Sequence, residues 1–308
     1  MALEVGIVGL PNAGKTMLFT ALTRAGAHVS GKENVGIAPI PDPRLRQLAE
    51  VVHAKKVTPA AIRVVDVPGT GAQLLGNLRQ VDLLLAVLDG WSGTRDANAD
   101  YDTLVLELLA ADRDHIERRI ERVSKQAKSG DANLKAEVAT LEQLAAHLDN
   151  LETIAEITAD VDIPEEVDLL TIKPVMKIVN GPTGIDLKLE AELAELPDEE
   201  AAAFREGDSA LDEVVRALAQ ELDLITFFTA GEKETRAWTL RRGGTAIDAA
   251  AMIHSDIARG FIRCEVIRWD DLVAAGSHVE AARQGKQRVE GKTYVVEDGD
   301  VLNVRFNV

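Results

Sequence analysis

At 308 residues, 46% hydrophobic and 28% charged, the chain is long enough for two domains and has the composition of a globular protein. No apolar run reaches the roughly 18 residues of a membrane helix, MALEVGIVGL reads as a strand rather than a signal peptide, and the lone Cys264 excludes an intramolecular disulfide framework; a cytoplasmic protein without a membrane partner is expected. The net charge of −17 lies almost wholly in residues 1–221, because the tail from Leu222 carries 12 Lys and Arg against 13 Asp and Glu; this excludes a broadly nucleic-acid-binding surface but leaves room for a local RNA-facing patch.

In chain order, LEVGIVG (3–9) reads as a strand, followed by a Gly/Pro loop and KTMLFTALTRAG, a helix expected to close at Gly26. AAIRVVDVPG (60–69) is a second strand ending in a Gly turn. VDLLLAVLDG (81–90) is a continuous apolar run, as expected of a parallel strand buried on both faces. Residues 112–157 break the alternation: Ile116, Ile120 and Val123, then Leu134, Val138, Leu141, Ala145 and Leu148 after a break at 129–133, predict an antiparallel helical hairpin with its tip near Gly130. Such an arm is either purely structural or a binding arm. KPVMKIVN (173–180) is a further core strand, and strands separated by helices imply a doubly wound α/β core.

From Leu222 the pattern changes. ITFFTA, AWTL and FIRCEVIRW read as strands, and TAIDAAAMIHSDIARG as one helix opened by a Thr245/Asp248 cap. TYVVEDGDVLNVRFNV predicts two strands around Asp298-Gly299-Asp300, with Leu302, Val304, Phe306 and Val308 facing inward. Together these suggest a small β-grasp module.

The chemistry concentrates near the start. Gly9-Leu10-Pro11-Asn12-Ala13-Gly14-Lys15-Thr16 matches G-x4-G-K-T between a predicted strand and a predicted helix. Glycines let the backbone of such a P-loop curl its N–H groups around a phosphate at a helix N-terminus, so Asn12, Ala13, Gly14, Lys15, Thr16 and Met17 are the expected nucleotide-binding stretch. Lys15 is the expected source of phosphate and transition-state charge stabilisation, and the Thr16 hydroxyl an expected Mg²⁺ ligand. Asp66-Val67-Pro68-Gly69 has the D-x-x-G form in which Asp66 serves Mg²⁺ and the Gly69 N–H senses a γ-phosphate; the alternative for Asp66 is a plain turn cap. At the end of 173–180, Asn180 stands where a base-reading Asn-Lys-x-Asp is usual, but Thr183 takes the acidic position and no acid follows until Asp186, so nothing there selects guanine. Asn180 either contacts the base or supports the loops by hydrogen bonding.

These features, with NVGIAPIPDPRLRQLAEVV (34–52), KLEAELAELPDEEAAAF (188–204) and above all ITFFTAGEKETRAWTLRRGGTAIDAAAMIHSDIARGFIRCEVIRWDDL and YVVEDGDVLNVRFNV, resemble the YchF-type, Obg-related P-loop ATPases from end to end. The resemblance implies a P-loop domain over 1–111 and 166–221, an inserted helical arm over 112–165, a TGS (β-grasp) domain over 222–308, ATP in preference to GTP together with Mg²⁺, and association with the ribosome, with rRNA contacts through the TGS domain and the arm. It also exposes departures. Only AHVSGKE (27–33) joins the P-loop helix to Asn34, with Ser30 its single hydroxyl, where the family carries a longer switch with a Thr ligand. After D-x-x-G the chain runs TGAQLLGNLRQVD, with Thr70 where Ras-like GTPases put the water-orienting Gln, and Asp186-Leu187-Lys188 stands for the family's Ser-Ala-Lys loop.

The leading reading is therefore an ATP-preferring nucleotide switch with slow hydrolysis near the ribosome. The alternative is a degenerate relative that docks on RNA or ribosome with little nucleotide chemistry. A GTP-specific hydrolase is a third reading, against which the missing acid after Asn180 argues. Lys233, Arg236, Arg241 and Arg242 form the one basic cluster of the tail, facing either RNA phosphates or the neighbouring Glu232 and Glu234. Trp238 and Trp269 read as packing residues, His254 as a hydrogen-bonded structural histidine, and Cys264 as a buried small hydrophobe.

Overall fold

The structure is a computed structural model describing residues 3–23, 28–30, 33–66, 72–91, 93, 96–128, 131–156, 161, 163–164, 167–204 and 209–307. The first elements are β1 (Glu4–Val8), α1 (Lys15–Thr23), β2 (His28–Ser30), β3 (Glu33–Pro39), α2 (Pro43–Val51), β4 (Val57–Thr58), β5 (Ala61–Asp66), α3 (Ala72–Asn77) and β6 (Leu83–Asp89). Two long helices follow, α4 (Ala97–Ala127) and α5 (Ala132–Asp149), then β7 (Val175–Asn180), α6 (Leu187–Ala194), α7 (Asp198–Phe204) and α8 (Ala210–Glu221). The last part holds β8 (Leu224–Ala230), β9 (Thr235–Arg241), α9 (Ala246–Ile253), α10 (Ser255–Arg259), β10 (Phe261–Arg268), α11 (Trp269–Ala275), α12 (His278–Arg283), β11 (Arg288–Glu290) and β12 (Asp300–Phe306). Among the described residues no helix is long and apolar enough to cross a membrane.

The chain divides into two compact units. One comprises residues 3–36 and 63–205, the other 1–2, 37–62 and 206–308. In the first, β1 is central, pairing in parallel with β5 on one side and β6 on the other, and β6 pairs in parallel with β7. The sheet order β2-β3-β5-β1-β6-β7 is that of a doubly wound α/β core with one antiparallel hairpin, β2–β3, at its edge. Leu83 to Leu88 are all buried, which accounts for the unbroken apolar run of β6. Within the stretch 27–33, residues 28–30 and 33 are described and form the sheet edge, with Val29 opposite Asn34 and Ser30 opposite Glu33.

The arm is longer than its sequence period suggested. Its first helix does not start near residue 112 but at Ala97, capped by the Asp96 carboxylate, and runs 31 residues. Leu104 and Leu108 on its first turns join the core of the sheet, whereas Leu109 and Ile116 pack with Leu141, Leu144, Ala145 and Leu148 of α5. One helix therefore serves two cores. At its middle, the fully buried Asp112 pairs with Arg79 at 2.7 Å and accepts hydrogen bonds from Leu170 N, Thr171 N and Thr171 Oγ1. Of the predicted hairpin tip, Gly130 lies outside the described residues, as does Gly26 at the predicted end of the first helix; α1 is described to Thr23.

In the second unit a six-stranded sheet of order β11-β10-β12-β8-β9-β4 packs over α9. The segment 37–62 belongs to this unit: α2, opened by the Asp42 cap with Pro43 in its first turn, lies against α11, and β4 adds in parallel to β9. Arg44 reaches Asp298 at 2.6 Å and Lys56 reaches Glu234 at 3.0 Å. Three expectations for the tail are corrected. The single helix from Thr245 is two, because His254 leaves helical geometry (φ −168°) and its ring nitrogen accepts from Asp256 N to start α10. Residues before Asp298 supply only an isolated bridge, Thr245 with Val295, so one strand rather than two flanks the turn. Leu302 is buried but Phe306, the last residue of β12, is 47% exposed, and Val308 lies outside the described residues. The Thr245/Asp248 capping box forms as expected.

Candidate functional site

Strand β1 delivers the chain to a loop that only particular residues can form. Gly9 has φ +149°, and a Cβ there would lie 2.4 Å from the Val87 carbonyl of the neighbouring strand; Gly14 has φ +107°, and its Cβ would meet the Asn180 amide at 2.5 Å. Asn12 sits between them in left-handed geometry at φ 68°, a conformation that asparagine tolerates. The loop closes with Ala13 N donating to Leu10 O, and α1 begins at Lys15, with Leu18 N bonded to Gly14 O. The first-turn N–H groups of a helix have no intrahelical acceptor and form an anion-binding terminus.

Lys15 is half-buried, and its ammonium donates to Gly9 O and Leu10 O, each at 3.0 Å. Burial lowers its pKa, while the carboxylates of Asp66 and Glu107 work in the opposite direction. The Thr16 hydroxyl lies 3.5 Å from Asp66 Oδ2, and the same oxygen takes a hydrogen bond from the Asn34 amide at 3.3 Å. Asp66 is 3% exposed. A hydroxyl and a buried carboxylate converging in this way form a hard-oxygen donor pair, which suits Mg²⁺, an ion that takes one or two protein ligands and completes its shell with water and phosphate. Among the described residues no group of three or more His, Cys, Asp or Glu could hold a metal on its own. Gly69, with Val67, Pro68 and Thr70, lies outside the described residues.

Beside the loop opens a cavity of about 630 Å³ lined by Asn12, Met17, Asp89, Trp91, Asn180, Asp186 and Lys188. This volume suits a nucleoside-sized ligand. Of the expected site residues it gathers Asn12, Met17 and Asn180, and Asp186 and Lys188 join them. Asn180, 6% exposed, is spent inside the protein: Nδ2 donates to Ala13 O at 3.0 Å, and Oδ1 accepts from Leu187 N at 3.3 Å and from Trp91 Nε1 at 3.2 Å. These bonds support the loop, one of its two expected roles, and Asn180 also lines the cavity. Asp186 caps α6 through Lys188 N and Leu189 N.

Two residues escape a reading by motif. Trp91, 53% exposed, is fixed by its bond to Asn180 and by its own N–H on Asp89 Oδ1. An exposed tryptophan just past the carboxyl end of a parallel strand was the available signal, since that edge of an α/β sheet is where ligands bind. Asn34 opens the 34–52 stretch of the resemblance, but nothing beside it in sequence points to Asp66.

The tail cluster is largely committed. Arg236 lies 3.9 Å from the Trp238 ring and Arg242 pairs with Asp223, while Glu234 turns to Lys56 and Thr58 rather than to the neighbouring arginines. Trp238 stacks on Phe227 and donates to Thr229, a packing role as expected. Cys264 is buried, which pushes its thiol up to about 12.

Residues 4–127 match the family described as 50S ribosome-binding GTPase, and residues 224–307 match YchF-GTPase_C, described as a protein of unknown function. Two curated relatives, each named ribosome-binding ATPase YchF, are 38% identical over their full length and all of this chain, one from Haemophilus ducreyi over 363 aligned positions and one from Bacillus subtilis over 366. The solved structure of the Schizosaccharomyces pombe YchF GTPase superimposes with a TM-score of 0.81 at 26% identity, covering 98% of this chain and 97% of that one. Against 308 residues here, an alignment of 363 positions leaves some 55 without a counterpart in this chain.

Proposed function

The chain belongs to the YchF family, and from that premise we propose that it is an ATP-preferring nucleotide switch with slow hydrolysis, working in association with the ribosome. The observation that carries the nucleotide half is the convergence of the P-loop, the Thr16–Asp66 oxygen pair and the 630 Å³ cavity on one end of the sheet. Phosphates fit the N-terminus of α1. The Lys15 ammonium exchanges the carbonyls of Gly9 and Leu10 for phosphate oxygens. Thr16 and Asp66 would hold Mg²⁺, whose charge offsets that of the phosphate oxygens. The base lies in the cavity, with the Trp91 indole as one wall. Asn180 tethers the loop to that wall, and with its amide so engaged, and no acid at position 183, a guanine-selective contact is missing; the names of the curated relatives favour ATP.

Slow turnover follows from what the chain offers the γ-phosphate. The stretch 27–33 has one hydroxyl, Ser30, whose backbone pairs with Glu33 in the β2–β3 hairpin, while Thr70 replaces a water-orienting amide. Missing charge stabilisation and water positioning cost orders of magnitude in rate. The same observations, with the 55 missing positions, support the second reading, a docking protein that has lost most nucleotide chemistry.

For the ribosomal partner, the arm offers rRNA phosphates more than the tail does. Arg118, Arg122, Lys125 and Lys128 are exposed towards the C-terminal end of α4; Arg118 pairs with Asp114, and the other three have no carboxylate partner among the described residues. Calorimetric titration with ATP, ADP, GTP and GDP plus Mg²⁺, on wild type and Lys15→Ala, separates the readings. Micromolar ATP binding that is lost in the variant supports the switch. Silence with all four nucleotides supports docking alone, and tight GDP binding defeats the adenine preference.

A further inference from the structure

We propose that Asn34 is a positioning residue for the divalent cation: its amide holds the Asp66 carboxylate in the orientation that a metal bound to Thr16 and Asp66 requires. The proposal rests on the nucleotide reading above and goes beyond it, because Asn34 lies outside the P-loop and the D-x-x-G stretch and does not line the cavity.

The argument is one of donors. Asp66 is 3% exposed, and a buried carboxylate is costly unless hydrogen-bonded. Among the described residues two side chains reach its Oδ2, the Thr16 hydroxyl at 3.5 Å and the Asn34 amide at 3.3 Å. They are not equivalent. A hydroxyl oxygen has lone pairs and can turn from the carboxylate to a cation, whereas an amide nitrogen has none to offer. The opposite amide orientation would set a carbonyl oxygen against a carboxylate, so the geometry requires the NH2 face. Once Thr16 serves the cation, Asn34 is, among the described residues, the side-chain donor that still fixes Asp66.

The backbone supports the same role. Asn34 lies on β3 opposite Val29 of β2, so the amide is carried by a paired strand rather than by a free loop. Asp66 is the last residue of β5, in register with Ile7 of β1. Two sheet strands therefore set the distance between donor and carboxylate. Hydrogen-bond partners behind a metal-ligating carboxylate typically contribute 10- to 100-fold in metal affinity.

The test uses the full chain, ADP as the nucleotide and Mn²⁺ as the spectroscopic probe. Free Mn²⁺ is followed by electron paramagnetic resonance in the presence of ADP, and ADP binding is measured separately in EDTA. Asn34→Ala is expected to weaken Mn²⁺ binding about 10-fold or more while leaving metal-free ADP affinity within about twofold of wild type. A purely structural asparagine would move both together or only the melting temperature. Asn34→Leu, which keeps the side-chain volume on β3, carries the same expectation should the alanine variant fail to fold. Unchanged Mn²⁺ affinity in a folded variant overturns the positioning role and leaves the nucleotide reading standing. A wild type that binds no ADP in either condition overturns both.

Discussion

At the scale of single residues, two asparagines, Asn34 and Asn180, tie the elements of the site together. Asn180 fastens Ala13 of the loop to Leu187 and Trp91 with three hydrogen bonds, all from one buried amide. Truncation to alanine strands a buried carbonyl and a buried N–H, each costing about 1–3 kcal/mol. Asn180→Ala is therefore expected to lower the urea midpoint and weaken all nucleotides alike, leaving the ATP-to-GTP affinity ratio unchanged. A shifted ratio at unchanged stability would reassign Asn180 to the base. What sequence reading recovered here follows chain distance. The loop from Gly9 to Thr16 carries its whole chemistry in one contiguous stretch, with glycines that declare its backbone. Asn34 meets Asp66 across 32 residues and Trp91 meets Asn180 across 89, partnerships that exist only once the strand order is known.

Elements were legible where a period was unbroken and obscure where one element serves two neighbours. β6 announced itself by six residues without a charge, Leu83 to Leu88, before Asp89. The hairpin of α4 and α5 showed its seam from Ile116 onward, but the turns before it face the sheet, so the apolar period changes phase near Leu108 and Leu109 and conceals the true start at Ala97. At that change of partner stands Asp112, which joins α4 to Arg79, in the turn just after α3, and to the backbone of Leu170 and Thr171. Removing one side of a buried ion pair leaves the other uncompensated. Asp112→Ala should destabilise the protein by about 3–5 kcal/mol, read by urea unfolding at constant slope. A loss below about 1 kcal/mol would mean that the arm is held by its apolar seam alone.

At the scale of the whole molecule, the least legible fact is that residues 37–62 fold with the C-terminal segment. A two-residue strand paired in parallel and a helix with a Pro43 start carry no mark of their distant partners β9 and α11. The end-to-end resemblance was legible because the C-terminal segment is nearly continuous in motif, and because its capping box and strands reappear in the structure. The departures from that resemblance carry the proposal of slow turnover: the P-loop motif is intact, while the 27–33 stretch is short and Thr70 stands where a water-orienting amide is usual. The most direct measurement is the single-turnover hydrolysis rate of Mg²⁺ and ATP mixed with excess protein, against Lys15→Ala. A rate of about 10⁻³ s⁻¹ or slower in wild type that has bound the ATP is the predicted result. A rate of about 1 s⁻¹ or faster, abolished by Lys15→Ala, would contradict the account.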